Sequence, residues 1–256
     1  PQHPVMRTYT NLTWPDDPYR TGQQLYRRPA PRLAAFTGRR AGAGEDAVAA
    51  VAIVYLPLHR TQAVSVAEQT LAFGFRAAGG DDQADMPALA AVADLDMMQA
   101  RRHAAVLAGH LLADDRAAVR QAGDGAALRG LAAVEHEWAA RGQARGGAAT
   151  FDCALDLPGM PPLRVACDQA GIAADPRGSV LGADLTADRL ATLAVERALM
   201  IALICARHQG RYKWAGTLHL AAVLAAAAWD CLPRQDCGDT NVHAWTELPA
   251  VQGNPR

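Results

Sequence analysis

The sequence predicts a mainly α fold, a helical bundle with extended arms at both ends, and three observations predict it. Half the residues are hydrophobic while only 5% are aromatic. Alanine dominates, with the best helix propensity and little to offer a pleated sheet. Apolar positions also recur at helical spacing over residues 54–115, and helix start and stop signals bound the apolar segments. The 256 residues suffice to bury a sizeable core. They divide into an extended arm over 1–33, a single helical domain over 34–232 and a C-terminal arm over 233–256.

Taken in order, residues 1–33 are rich in proline and arginine, with Tyr9, Trp14, Tyr19 and Tyr26 scattered without periodicity. The aromatics imply an arm that packs on its own domain or on a partner, because a solvated tail has no use for them. Glu45 to Leu56 is strongly apolar and Pro57 interrupts it, which fits a buried strand or a helix; the alanine content favours helix. Two organising helices follow at roughly 60–77 and 86–113, with Asp85 as cap and Pro87 in the first turn of the second. A helix is predicted from about 126 to 141, then a hairpin or looped excursion over 149–182 around PGMPP, the one β signal in the chain. Asp184 or Thr186 caps a helix reaching His208, and residues 212–231 form an alanine-rich helix ended by Pro233.

The net charge of −1 gives no global pull toward nucleic acid or acidic membranes, although the first forty residues are locally basic, Arg39 and Arg40 included. No apolar run reaches the roughly 18–20 residues of a membrane span, and no hydrophobic signal core opens the chain, so a cytoplasmic home is expected. Five cysteines (Cys153, Cys167, Cys205, Cys231, Cys237) without a CxxC support neither a disulfide framework nor a zinc knuckle.

On a helical wheel Val64, Leu71 and Phe75 share a face with Glu68, and Asp96 and His103 fall on the apolar stripe of the next helix. Facing helices with inward Glu, Asp and His are how four-helix metal bundles are built. A di-iron site needs Glu-x-x-His, however, and none of the six glutamates stands in one. Ala100 occupies the place of the acid before His103, and Gly216 that before His219. Asp96, His103 and His110 lie seven residues apart, about 10 Å per step, too far to share an ion. The expectation is therefore that Glu68, Asp96 and His103 satisfy one another as a buried polar network without metal. Asp81-Asp82-Gln83-Ala84-Asp85 spells DDxxD, a magnesium-diphosphate pattern in terpenoid synthases, read here as a solvated loop with a helix cap. Glu135-His136-Glu137 reads as a surface charge cluster and Trp138, Trp214 and Trp229 as anchors.

YLPLHRTQAVSVAEQTLAFGF, followed by ALAAVADLDMMQARRHAAVLAGHLLAD, resembles the core helix pair of the hydroxylase of bacterial multicomponent monooxygenases. Leu56-Pro57-Leu58, Ala93-Asp94 and the arm stretch Arg7–Leu12 are similar to features of its non-catalytic β subunit. The resemblance covers about the first 140 residues. It implies a ferritin-like fold, no catalytic, cofactor or metal residues in this chain, and a di-iron centre in a catalytic partner subunit served by a reductase and regulatory proteins. The function expected is structural support of hydrocarbon hydroxylation by that partner. Two alternatives stand beside it: a self-sufficient helical enzyme, metal-dependent through Glu68, Asp96 and His103 or terpenoid-like through Asp81, Asp82 and Asp85, and an unrelated helical assembly protein.

Overall fold

A computed structural model describes residues 6–12, 32–40, 47–59, 62–80, 82–141, 149–174 and 185–226. Its centre is a six-stranded sheet in the order β1-β5-β3-β2-β6-β7. The members are β1 (Arg7–Thr10), β2 (Arg32–Arg40), β3 (Val48–Pro57), β5 (Gly74–Gly79), β6 (Ala104–Gly109) and β7 (Ala149–Asp152). Strands β1, β5, β3 and β2 pair antiparallel, whereas β2, β6 and β7 run parallel. Two small two-stranded sheets pair β4 (Val64–Ser65) with β9 (Tyr212–Lys213) and β8 (Ile172–Ala173) with β10 (Leu218–His219). Among the described residues the fold is thus mixed α/β with three sheets, which overturns the mainly α, ferritin-like bundle.

The physical reason lies in β3. Both faces of the central strands are covered, so Val48–Leu56 is buried throughout and reads as an unbroken apolar run rather than an alternating one. Periodicity does not tell such a run from a buried helix. Alternation does survive in the LAFGFRAAG stretch, where Phe73, Phe75 and Ala77 enter one core and Ala78 the other. The helix predicted over 60–77 is accordingly β4, a turn and β5. The second organising helix stops early: α1 (Met86–His103) gives way at Ala104 directly to β6.

Helices α1, α2 (Leu112–Ala122) and α3 (Arg129–Arg141) cover one face, where Leu89, Met97, Val119 and Val134 meet Phe36 and Ile53. Helix α5 (Ala187–His208) crosses the other, where Leu199 and Leu203 meet Leu33, Val54 and Phe75. Helices α4 (Leu163–Gln169) and α6 (Leu220–Ala226) share the α5 core. The Thr186 cap of α5 is present, its hydroxyl accepting from the Arg189 N–H. Of the 149–182 segment, the described residues 149–174 form β7, a turn, α4 and β8 rather than a hairpin, and of the helix expected over 212–231, residues 212–226 form two short strands and α6. Arg7–Thr10 of the expected arm forms the edge strand on β5. The C-terminal arm, Trp229, Cys231 and Cys237 lie outside the described residues. Among the described residues no helix is long and apolar enough to cross a membrane.

Candidate site at the carboxyl ends of the parallel strands

In open α/β sheets, ligands gather outside the carboxyl ends of the parallel strands, where loops and helix ends converge. Here β2, β6 and β7 deliver Thr37 to Arg39, Gly109-His110 and Asp152 to one such edge. Side-chain alternation along β2 sorts them. Leu33 and Ala35 face α5, so Thr37 and Arg39 do as well, while Gly38 turns its backbone toward α2. The consequences are direct. Arg197 of α5 donates from Nε to the buried Thr37 hydroxyl across 3.0 Å, and the Gly38 N–H donates to Asp115 Oδ2 across 3.1 Å.

Asp152 closes the other side of the edge. Its carboxylate accepts from the backbone N–H groups of Leu111 and Ala154, both at 2.9 Å, and of Leu112 at 2.7 Å. It therefore fills the electropositive start of α2 from a different element. The turn before α2 is tight: a Cβ on Gly109 would meet Leu112 Cβ at 2.6 Å. Leu111 adopts a left-handed conformation with φ 61°, which costs a non-glycine residue free energy that its surroundings must offset.

Charged groups of both signs meet at this edge. Burial, followed by repulsion from Arg197, lowers the Arg39 pKa from its ordinary value; Glu196 opposes the shift and Arg189 adds to it. His110 is buried, with Nδ1 3.5 Å from Arg197 Nη2. Burial first and Arg197 second lower its pKa, while the Pro161 carbonyl and Asp152 pull the other way. Beside a permanent donor, Nδ1 is best used as the acceptor, which leaves the proton of a neutral imidazole on Nε2; among the described residues that buried nitrogen has no hydrogen-bond partner. The carboxylates of Asp115 and Asp152 accept from backbone N–H groups and keep their charge, and Glu196 acts on Arg39, so the guanidinium groups of Arg39 and Arg197 share this edge with anionic side chains.

Nearby thiols are structural. Cys153 and Cys167 are pushed up to about 12 by burial, and Cys205 well above the usual thiol range. They hold little thiolate at neutral pH.

The residues singled out from sequence are not brought together. Glu68 lies in a turn and accepts from the His219 N–H at 2.7 Å. Asp96, on α1, pairs with Arg76 of β5 at 3.8 Å, and His103 Nε2 is 3.2 Å from Gln99 Oε1. The expected network among Glu68, Asp96 and His103 is replaced by three separate arrangements, because Glu68 is on no helix. Asp82 and Asp85 form a capping box at a 3-10 turn (Gln83–Asp85) ahead of α1, and Asp81 lies outside the described residues. Among the described residues no group of three or more His, Cys, Asp or Glu is placed to hold a metal ion. The mixed α/β fold, not this absence, removes the ferritin-like monooxygenase subunit. Sequence reasoning missed Thr37, Arg39, Asp115, Asp152 and Arg197 as a group. The available signal was a short apolar run ending in TGRR and another ending in Gly-His, both strand-to-loop exits. No family model, no curated protein and no solved structure matches this chain.

Proposed function

We propose that this protein is a binding module for a phosphate ester, taken up at the carboxyl edge of β2, β6 and β7. One observation carries the reading: Arg197 of α5 is fixed by Thr37 at 3.0 Å and lies 3.5 Å from His110, on the face of the edge that Arg39 shares, where burial first and Arg197 second lower the Arg39 pKa against the pull of Glu196. Two cations held in opposition lose their mutual penalty when a dianion lies between them. Guanidinium groups suit that role, since their planar donors match phosphate oxygens in pairs. The overall charge of −1 makes this a local attraction rather than a global one. Three free thiols, at Cys153, Cys167 and Cys205, support placing this function in the reducing cytoplasm.

Titration calorimetry with inorganic phosphate in low-salt buffer tests the reading. Arg39→Gln is expected to weaken binding about tenfold, the worth of one charge-assisted hydrogen bond, with urea stability nearly unchanged. Unaltered affinity in this variant, or no phosphate binding by the parent chain, would sink it.

A further inference from the structure

One carboxyl buried between α1 and the sheet lacks the contacts that an anion needs. Asp96 of α1 is 1% exposed. Alternation along β5 turns Arg76 toward α1, opposite to Phe75 and Ala77, and its Nη1 stands 3.8 Å from Asp96 Oδ1. That is too long for a hydrogen bond, and Asp96 Oδ2 has no hydrogen-bond partner among the described residues. A carboxylate buried in this way is costly, and protonation removes the cost.

The surroundings of Asp96 are drawn from every element packed on α1. Register puts Tyr55 of β3 and Arg32 of β2 on the same sheet face as Arg76: Tyr55 is two residues from Ile53, the partner of Arg76, and opposite Ala34, two residues from Arg32. Helix α3 contributes Leu131 and Val134 to this core, and β6 contributes Ala104 and Leu107. Asp115 of α2 and Asp85 of the 3-10 turn accept from the N–H groups of Gly38 and Asp82. On α1 itself Asp94 accepts from the Leu131 N–H, and His103 lies 3.2 Å from Gln99.

The α1 layer is also the more weakly anchored one. Its core side chains are Leu89, Met97 and the alanines 90, 93 and 100, whereas α5 buries Leu190, Leu199, Ile201, Leu203 and Ile204 among others. Segments with little buried apolar surface open first. No loop separates α1 from β6, so the helix is continuous with the strand that delivers Gly109 and His110.

We propose that Asp96 is a proton-operated latch between α1 and the sheet: with the carboxyl protonated the helix stays docked, and loss of the proton lets it lift while α5 holds the other face. The sign follows from the two environments. In water, after α1 lifts, the carboxyl has its ordinary value of 3.8, whereas burial in the docked helix raises it to about 8 against the pull of Arg76. Between these limits the docked state keeps a proton that the lifted state has released, so lifting becomes about tenfold more populated per pH unit.

Hydrogen exchange on the full chain at pH values of about 5.5, 6.5 and 7.5, corrected for the chemical pH dependence of exchange, tests the latch over this window. The amides of α1 are expected to open about tenfold more often per pH unit and ahead of those of α5. Asp96→Asn, which mimics the protonated carboxyl, is expected to remove that slope. Asp96→Thr, close in size and likewise unable to ionise, carries the same expectation should the first variant not fold. Opening of α1 that does not change with pH, or that coincides with the opening of α5 throughout, overturns the latch, as does a folded variant that keeps the slope of the parent.

Discussion

Arg197 on α5 reaches 3.0 Å from its Nε to the hydroxyl of Thr37 on β2, two residues 160 positions apart in the chain. The bond joins a helix of one layer to the strand that begins the parallel half of the sheet, and it orients the guanidinium toward His110. Thr37→Val keeps the shape and removes the acceptor. We expect it to cost about 1–2 kcal/mol, mostly from a partly buried Nε–H left without a partner, read from urea midpoints. Phosphate affinity is expected to fall with it, since Arg197 regains rotamer freedom. A variant as stable as the parent would show that Thr37 does not hold Arg197.

Asp152 is the corresponding pin on the far strand. Three backbone N–H groups converge on its carboxylate, two of them at the start of α2. Asp152→Ala strands these donors and removes a negative charge from the positive end of the helix. We expect a loss of about 2 kcal/mol, at the upper end for a helix cap because more than one donor is involved. Hydrogen exchange is expected to be faster through the first turn of α2 and the end of β7; unchanged protection there would refute the role.

The buried pair on the opposite face governs pH dependence. Asp96 is 1% exposed, and burial pushes its carboxyl up to about 8 despite Arg76 at 3.8 Å. The unfolded value is 3.8, so between these limits the folded chain keeps a proton that the unfolded chain has released. Stability therefore falls as pH rises from about 4 to about 8, by at most about 1.4 kcal/mol per pH unit. His110 acts oppositely: its folded value lies below 6.5, so its contribution is complete above that pH and is lost below it. Asp96→Asn mimics the protonated carboxyl and is expected to remove the decline toward pH 8. A parallel decline in parent and variant would show that Asp96 is not its source.

How much was legible in sequence follows from the layers. Helix α5 announced itself through Thr186 and its apolar periodicity, and α3 through a bounded helical stretch, because each has a solvent side. Strands β3 and β6 lie between two helical layers and carry no polar face, so their apolar runs had no period to read. The join between α1 and β6 was also hidden. It has no loop residues, and Leu107 continued the helical stripe of Asp96 and His103 although it belongs to a strand. Arg101, Arg102 and His103 in the last turn of α1 were the stop signal. The site itself is a product of parallel pairing: neither the proximity of Arg39 to Arg197 nor that of Asp152 to α2 has a local sequence trace.

Leu111 carries the backbone strain of the turn into α2. Its φ of 61° is disfavoured for leucine by about 1–2 kcal/mol, and with 44% exposure its burial returns only part of that cost. Asparagine visits this conformation more readily, so Leu111→Asn is expected to raise stability by about 0.5–1 kcal/mol. Urea midpoints decide the matter, because a variant no more stable than the parent would show that contacts in the turn into α2 already offset the strain at Leu111.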